Sequence, residues 1–393
     1  MSTAYRIFRS LPAPVRGVGE QILRLRAERE VRSLLPDWRS VDIRLLVGPL
    51  NTAGQAWRWA RAVDEHLPAH AIGVRALSRY GAGPYEYPAD LDLSTAVQLR
   101  GMAPYRQLVL GATHVLAEGG HAVLDDLHHR TLLDDLPELT AAGVRPAVLI
   151  HGSEARDLRV HAERYPGSPF AQPWDERFTR MQARVEQTQG MLRQVVERGL
   201  PVFVATPDML EHVPGAAWLP IVVDVAAFAT DTPPFAEDRP PVVLHAPTNP
   251  RLKGTAVVEQ VLGDLDSAGR IEYRRLEGVP NARMPEAIAA ADIVVDQVVL
   301  GNPATLLCET MAAGRLAVAH IAGDVRDAIR EADPAGEDIP VIEADAAGLA
   351  AAMERILADP DAAASVALSG PAWAARNHDG ERSAAVLRSG LLD

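Results

Sequence analysis

The chain has 393 residues, more than one compact hydrophobic core accommodates, so its length predicts two domains. The formal net charge of −13 argues against a general nucleic-acid-binding protein. A single cysteine, Cys308, excludes an intrachain disulfide and favours a reducing compartment, so we expect a cytoplasmic protein. We see no export signal and no apolar run of about 18 residues, and therefore expect no membrane-spanning segment.

Residues 1–40 are predicted to form a basic N-terminal arm. Residues 1–32 hold seven Arg and three Glu, whereas the rest of the chain is acidic. Two interpretations stay open. The arm is either a surface segment packed on the acidic body, which the narrow apolar face favours, or a helix on anionic lipid with Ile22, Leu23 and Leu25 in the interface. The second interpretation predicts weak peripheral contact with the inner face of the membrane through residues 1–32.

Ten short apolar segments rich in β-branched residues follow and alternate with amphipathic segments of helical length. Such near-continuous hydrophobicity is typical of strands buried on both faces of a parallel sheet. The alternation predicts an α/β protein with two Rossmann-like, doubly wound domains facing a central cleft. The ten segments are residues 41–50, 113–120, 146–154, 201–208, 216–224, 241–248, 271–279, 291–297, 316–323 and 339–344.

A segment rich in Pro and acidic residues, 226–241, has no periodicity and predicts a linker. We therefore assign residues 41–225 to an N-terminal domain and residues 242–370 to a C-terminal domain. Residues 371–393 are predicted to form a helix that crosses back to the first domain. Ligands of open α/β sheets bind beyond the carboxyl ends of the strands, so a shared site is expected between the domains.

The stretch His245–Ala256 reads HAPTNPRLKGTA and contains Lys253, the only lysine among 39 Lys and Arg residues. An ammonium is a compact charge on a flexible stem, which suits contact with a mobile phosphoryl oxygen. Lys253 and Arg251 lie beside a predicted helix start, where free N–H groups also attract anions. The alternative is that Lys253 lies on a solvated loop and has no role.

A second anion-site candidate is LGNPATLLCETMAAG. Asn302 suits a helix N-cap, Pro303 the first turn, and Gly314 the position after the last turn. The helix is expected to point its N-terminus at the cleft. Glu309 is expected on its polar face, opposite the buried residues Leu306, Leu307, Cys308 and Met311.

Three segments, HAPTNPRLKGT, EGVPNARMPEAIAAADIVVDQ and CETMAAGRLAVA, resemble the nucleotide-binding half of GT-B glycosyltransferases of the retaining family-4 type. GPLNTAGQ, HGSEARD and VATPDMLEHVPGAAWLPIVVD in the first half agree with this resemblance, in the same order. The resemblance implies a hexosyltransferase-type enzyme that moves a sugar from a UDP- or GDP-sugar to an acceptor hydroxyl with retention. It implies no metal and no other cofactor. The acceptor (a glycan, a lipid-linked molecule or a small molecule) stays open.

The resemblance also implies roles for single residues on the donor side. Lys253 would contact the donor diphosphate, with Arg251 as a second cation. Gly278 and Val279 would present backbone groups to the nucleobase, and Glu309 would accept hydrogen bonds from the ribose. The helix start would cap the diphosphate through Asn302, Pro303 and Ala304.

In the first domain, the resemblance places His151 beside the donor sugar and Gly54 where the backbone approaches the donor. Lys253 and His151 are thus the predicted catalytic residues, because preorganised donors stabilise the charge that develops on the leaving diphosphate. Four residues are assigned to the acceptor side: Asn51, Gln55, Glu154 and Arg156.

Two positions depart from the family pattern. Gly301 stands where the first Glu of an E-x7-E pair is usual, and Thr248 stands where an Arg is usual. These gaps keep a catalytically silent GT-B homologue that binds nucleotide or a partner enzyme as an alternative. A GT-B sugar-nucleotide epimerase and a hinged sugar-binding protein are further alternatives.

Overall fold

The computed structural model describes residues 13–77, 87–93, 102–127, 129–171, 173–237 and 239–393, and every structural statement below refers to these residues. The strands in chain order are β1 (Arg44–Gly48), β2 (His70–Arg75), β3 (Leu91–Asp92), β4 (His114–Glu118), β5 (Arg145–Ile150), β6 (Val202–Val204), β7 (Ala217–Trp218), β8 (Val242–His245), β9 (Glu272–Arg275), β10 (Ile293–Val295), β11 (Leu316–Ala319) and β12 (Ile342–Glu343).

Helices connect these strands and cover both sheets. In chain order they are α1 (Ala13–Trp38), α2 (Gln55–His66), α3 (Ala103–Leu110), α4 (Leu132–Ala141), α5 (Leu158–Arg164), α6 (Glu176–Glu197), α7 (Met209–His212), α8 (Val225–Phe228), α9 (Pro250–Lys253), α10 (Thr255–Ser267), α11 (Met284–Ala289), α12 (Thr305–Ala312), α13 (Gly323–Ala332), α14 (Leu349–Ala358), α15 (Pro360–His378) and α16 (Glu381–Leu387).

The strands form two sheets. The first has the order β3-β2-β1-β4-β5-β6-β7, and the second has the order β12-β11-β10-β8-β9. The paired strands run parallel, for example β1 with β4 and β8 with β10. The strand order reverses direction at the β1/β4 boundary and at the β8/β10 boundary, which makes both sheets doubly wound. The predicted fold class is confirmed, and each reversal point marks a crevice for a ligand.

Strand β2 is absent from the ten predicted segments although its four central residues are buried. Its sequence, HAIGVR, has a glycine in the middle and polar residues at both ends, which weakens the hydrophobic signal. The structure requires that glycine, because a Cβ on Gly73 would lie 2.6 Å from the Cα of Trp57 on α2. Close packing of α2 on β2 thus explains why β2 contains Gly73, the residue that interrupts its hydrophobic pattern.

The chain crosses between the two sheets at its C-terminal end. Helix α15 begins at Pro360, earlier than the predicted start at 371, and packs on α12. The chain then turns at Gly380, whose φ of 117° favours glycine, and α16 packs on α2 of the first sheet. The single predicted crossing helix is therefore two helices with a glycine break. The assigned domain boundaries remain predictions.

Candidate functional site

A pocket lies where the carboxyl ends of the two sheets face each other. The first sheet contributes Ala53 and Tyr87. Five residues predicted to bind the donor meet here, namely Lys253, Gly278, Val279, Ala304 and Glu309. The remaining lining residues come from the second sheet: Ala246, Pro247, Thr248, Leu276, Asn281, Met284, Thr305 and Leu306.

Lys253 ends the short helix α9 and is held in place by a buried carboxylate. Its ammonium forms an ion pair with Asp296, which directly follows β10 and is fully buried. The Lys253 side chain is only 13% exposed, so the ammonium does not point into bulk water. The second carboxylate oxygen of Asp296 has no hydrogen-bond partner among the described residues. Asp296, which the sequence analysis did not single out, is thus the positioning residue of Lys253.

The turn after Lys253 explains how the ammonium reaches the floor of the pocket. Gly254 has a left-handed φ of 71°, and a Cβ there would lie 2.6 Å from the side chain of Val298. The backbone N–H of Val298 also donates to the carbonyl oxygen of Lys253 at 3.2 Å. The loop after β10 and the helix pair α9–α10 are therefore packed in direct contact.

The N-terminus of α12 opens onto the same pocket. Helix α12 starts at Thr305 with Ala304 as its N-cap, so the predicted cap, Asn302, is not the cap. Asn302 instead donates its side-chain amide to Asp208 at 3.2 Å, and Pro303 precedes the helix. No side chain of the described residues caps the helix, so its first N–H groups and the positive end of its dipole face the pocket.

Glu309 lies on the face of α12 that the sequence predicts to be polar, but it is only 4% exposed. Burial raises its pKa to about 7, while Arg58 and a hydrogen bond from Asn281 act in the opposite direction. Leu306, expected in the core, is half-buried and lines the pocket. The face is buried because it points into the cleft between the sheets rather than into solvent.

His151 follows β5 and is positioned by Glu118, a residue that the sequence analysis missed. The Nε2 atom of His151 lies 2.8 Å from Oε1 of Glu118, and the ring stacks on Trp59 at 5.9 Å. Glu118 is fully buried and also accepts the backbone N–H groups of Leu50 at 2.7 Å and Asn51 at 2.6 Å. Because an ionised carboxylate only accepts hydrogen bonds, Nε2 is the ring nitrogen that donates to Glu118.

A sequence signal for Glu118 exists. It is the charged residue that ends the buried strand β4, directly beside the reversal point of the first sheet. Charged side chains at the carboxyl ends of central strands are ligand or positioning candidates in doubly wound folds.

Two of the four predicted acceptor-side residues form hydrogen bonds with backbone groups. Gln55 is buried and exchanges two hydrogen bonds with Val222, donating at 3.0 Å and accepting at 2.7 Å. Asn51 adopts a left-handed φ of 51°, donates to Pro88 at 2.8 Å and accepts from the N–H of Trp57 at 3.2 Å. These hydrogen bonds hold the chain segments around α2, and the acceptor-side role of the two residues stays a prediction.

The other two predicted acceptor-side residues also have structural partners. Glu154 accepts the backbone N–H of His151 at 2.7 Å. Arg156 is buried and donates to Asp208 at 2.9 Å. Asp208 in turn accepts from Asn302 of the second sheet, so this cluster joins the two halves of the molecule.

Arg251 lies outside the pocket, unlike its neighbour Lys253. Its guanidinium donates to Asp175 at 2.7 Å and lies 3.8 Å over the ring of Phe178. Both partners belong to the first half of the chain. A planar guanidinium suits such a stacked, paired position, and the structure gives Arg251 an interdomain contact rather than a second cation for the predicted anion site.

Two glycines of the predicted site have left-handed backbones. Gly54 has φ 74°, and a Cβ there would lie 3.0 Å from Tyr87, which lines the pocket together with Ala53. Gly301 has φ 76°, and a Cβ there would lie 3.2 Å from Ala322. A glutamate at position 301, as in the E-x7-E pair, would be strained in this backbone, so the loop is built for glycine.

Within the described ranges, no three His, Cys, Asp or Glu side chains are grouped so that they could hold a metal ion. No protein-family model matches the chain, and no curated protein matches it either.

Solved structures do match. A sucrose-phosphate synthase from Thermosynechococcus elongatus is 14% identical with a TM-score of 0.54, over 88% of this chain and 98% of that one. Anabaena HepE in complex with UDP-glucose is 13% identical with a TM-score of 0.53, over 88% and 99% of the two chains. A glycosyltransferase from Rickettsia africae is 10% identical with a TM-score of 0.52, over 90% and 99%. The chain therefore has the fold of GT-B glycosyltransferases.

Proposed function

We propose that the chain is a retaining, metal-independent glycosyltransferase that moves a sugar from a UDP-sugar to an acceptor hydroxyl. The observation that carries the proposal is the pocket in which a half-buried, anchored ammonium, the uncapped N-terminus of α12 and a buried carboxylate meet. Cation and helix end suit a diphosphate, and the Glu309 carboxylate suits ribose hydroxyls. The solved structure of HepE with UDP-glucose, which shares the fold, supports UDP as the nucleotide.

In the proposed reaction the bond between the anomeric carbon and the phosphate oxygen breaks, and the acceptor oxygen bonds to the same face of that carbon. The acceptor proton passes to the leaving phosphate oxygen, so no protein nucleophile is required. Lys253 and the helix end stabilise the charge that grows on the diphosphate, and preorganised donors of this kind supply much of an enzyme's rate enhancement. Glu118 holds His151 and the backbone of residues 50–52 in place, and in this proposal His151 contacts the donor sugar.

The experiment has two stages. Calorimetric titration with UDP, GDP and ADP is expected to give one clear binder, UDP. A panel of UDP-sugars is then incubated with simple hydroxyl acceptors, with and without a chelator, and the anomeric configuration of the product is read by NMR. Transfer with retention that the chelator does not change supports the proposal, and inversion or loss of activity with chelator contradicts it.

A catalytically silent homologue that only binds nucleotide is the second candidate. It is favoured by Gly301, because the glutamate that the family pattern places there would be strained in this left-handed backbone. UDP binding without hydrolysis or transfer of any UDP-sugar would select this candidate.

Glu309 predicts a pH dependence of donor binding. Its pKa is raised to about 7, and ribose hydroxyls donate to the ionised carboxylate. We therefore expect UDP-glucose affinity to fall as the pH drops below about 7, with proton release on binding near neutral pH. Isothermal titration in buffers of different ionisation enthalpy measures that release. UDP-glucose is the ligand of choice because its diphosphate has no group that titrates near neutral pH.

The matched variant is Glu309→Gln, which keeps a hydrogen-bond acceptor and removes the titrating proton. It is expected to bind UDP-glucose without proton release. Because the folded pKa is raised, the group's contribution to stability is complete at acid pH and is lost as the pH rises through about 7. Glu309→Gln is thus expected to be more stable than the parent chain above neutral pH. Equal proton release by both proteins would contradict the assignment.

A further inference from the structure

Helix α1 carries an exposed apolar stripe. Val18 is 62% exposed, Ile22 61% and Leu25 59%, and their spacing places them on one face. The opposite face, with Ala27, Val31 and Trp38, is buried against the first sheet. Among the described residues, the other exposed large apolar side chains lie singly on three separate helices: Val160, Val196 and Leu368.

The stripe lies beyond the part of the helix that packs on the protein. Trp38, at the end of α1, donates its indole N–H to Leu108 at 3.0 Å, near the end of α3, and α1 packs along α3. With 26 residues α1 is about 39 Å long, whereas the eight residues of α3 span about 12 Å. The N-terminal half of α1 therefore extends past the start of α3. That start lies towards the edge where the strands end and the pocket opens.

The same outward face becomes basic towards the C-terminus of the helix. Arg26 directly follows Leu25, Arg29 and Arg32 lie about one and two turns after it, and all three are exposed. Arg32 has a loose partner in Glu28, at 3.8 Å. An apolar stripe followed by arginines on the same face suits a bilayer, because the apolar side chains enter the acyl region while the guanidinium groups contact lipid phosphates.

The charge distribution indicates which kind of partner binds the outward face of α1. The whole chain has a net charge of −13, so an anionic membrane repels most of the molecule and attracts the arginine-bearing face of this helix, which favours one orientation of approach. No helix of the described residues is long and apolar enough to cross a membrane, so the contact is peripheral.

We infer that α1 docks on an anionic lipid surface, with Val18, Ile22 and Leu25 in the interface and the pocket opening held near the bilayer. The sequence interpretation of a packed surface segment describes only the buried face of this helix. Leu23, expected at the interface, is half-buried, and Val18 takes its place. The inference rests on exposure and charge and is independent of the proposed transfer reaction.

The test is flotation of the full chain with vesicles of phosphatidylcholine alone or with added phosphatidylglycerol. We expect binding only to the anionic vesicles, weakened by salt. The triple variant V18S/I22S/L25S and the charge reversal R26E/R29E are each expected to reduce the partition coefficient by on the order of tenfold. The matched control V196S/L368S replaces two apolar residues elsewhere that are similarly exposed, 51% and 56%, and should bind like the parent chain.

Several outcomes would overturn the inference. They are equal binding to neutral vesicles, full binding by either α1 variant, or an equal loss in the control. A dimer in solution that the triple variant dissociates, without vesicle binding by the parent chain, would assign the face to a second copy. The charge reversal leaves the apolar packing untouched, so it decides the question even where the triple variant folds poorly. UDP titration of the same samples reports separately on the proposed function.

Discussion

The variant Lys253→Met is expected to bind UDP about 5- to 150-fold more weakly than the parent chain, a loss of about 1–3 kcal/mol. The reason is the loss of a charge-assisted hydrogen bond to the diphosphate from an ammonium that the structure holds in the pocket. The variant is also expected to lose roughly 3–5 kcal/mol of unfolding free energy, because fully buried Asp296 is left without its ion-pair partner. Calorimetry measures the first loss and denaturant titration the second.

The two losses can be separated. The double variant K253M/D296N removes the unpaired charge, so most of the stability should return while UDP binding stays weak. Arg251→Ala is the matched control, since this cation lies two residues away in α9 but contacts Asp175 and Phe178. It should leave UDP affinity unchanged. If the double variant regains UDP binding, or if Arg251→Ala weakens binding as much as Lys253→Met, Lys253 is not the diphosphate contact.

The variant Glu118→Gln is expected to lower the unfolding free energy by roughly 2–5 kcal/mol. The glutamine side chain has one carbonyl oxygen, which cannot replace a carboxylate that accepts hydrogen bonds from the N–H groups of Leu50 and Asn51 and from His151. The NH2 group of the glutamine would in addition face one of these donors, and two donors cannot form a hydrogen bond with each other. In the folded fraction we expect kcat of sugar transfer to fall much more than KM rises, because His151 loses its orientation.

Asp135→Asn is the matched control for Glu118→Gln. Asp135 is a buried carboxylate of the same half and accepts the N–H groups of Val123 and Leu124 at 2.7 and 3.0 Å. It should lose comparable stability and keep the kcat of its folded fraction. Nitrogen NMR of His151 supplies a direct readout, since only Glu118→Gln should change which ring nitrogen carries the proton. Unchanged His151 signals in Glu118→Gln would contradict its positioning role.

Local sequence patterns were sufficient for the architecture. Short runs of buried apolar residues between helical segments predict two parallel sheets, because a strand covered on both faces must be apolar along its length. Strand β2 was not predicted, because packing against α2 requires Gly73 in its middle and this glycine interrupts the apolar run. The sequence also marked the pocket through its only lysine and through the segment that contains Glu309.

Contacts between residues that are distant in the sequence could be identified only from the tertiary structure. Helical periodicity shows which face of α12 carries Glu309, but only the position of the other sheet shows that this face lines a cleft and is buried. Neighbouring Arg251 and Lys253 look equivalent in the sequence, yet one contacts the first half of the chain and the other a buried carboxylate beside the second sheet.

Thus the sequence by itself determined the two-sheet α/β fold and the segments that end at the cleft, because hydrophobic period and helix signals are local properties. Only the tertiary structure decided that Asp296 anchors Lys253, that Glu118 orients His151 and that Gln55 binds the backbone at Val222. These pairs are 43, 33 and 167 residues apart. The order of the parallel strands brings them together, and no local pattern records that order.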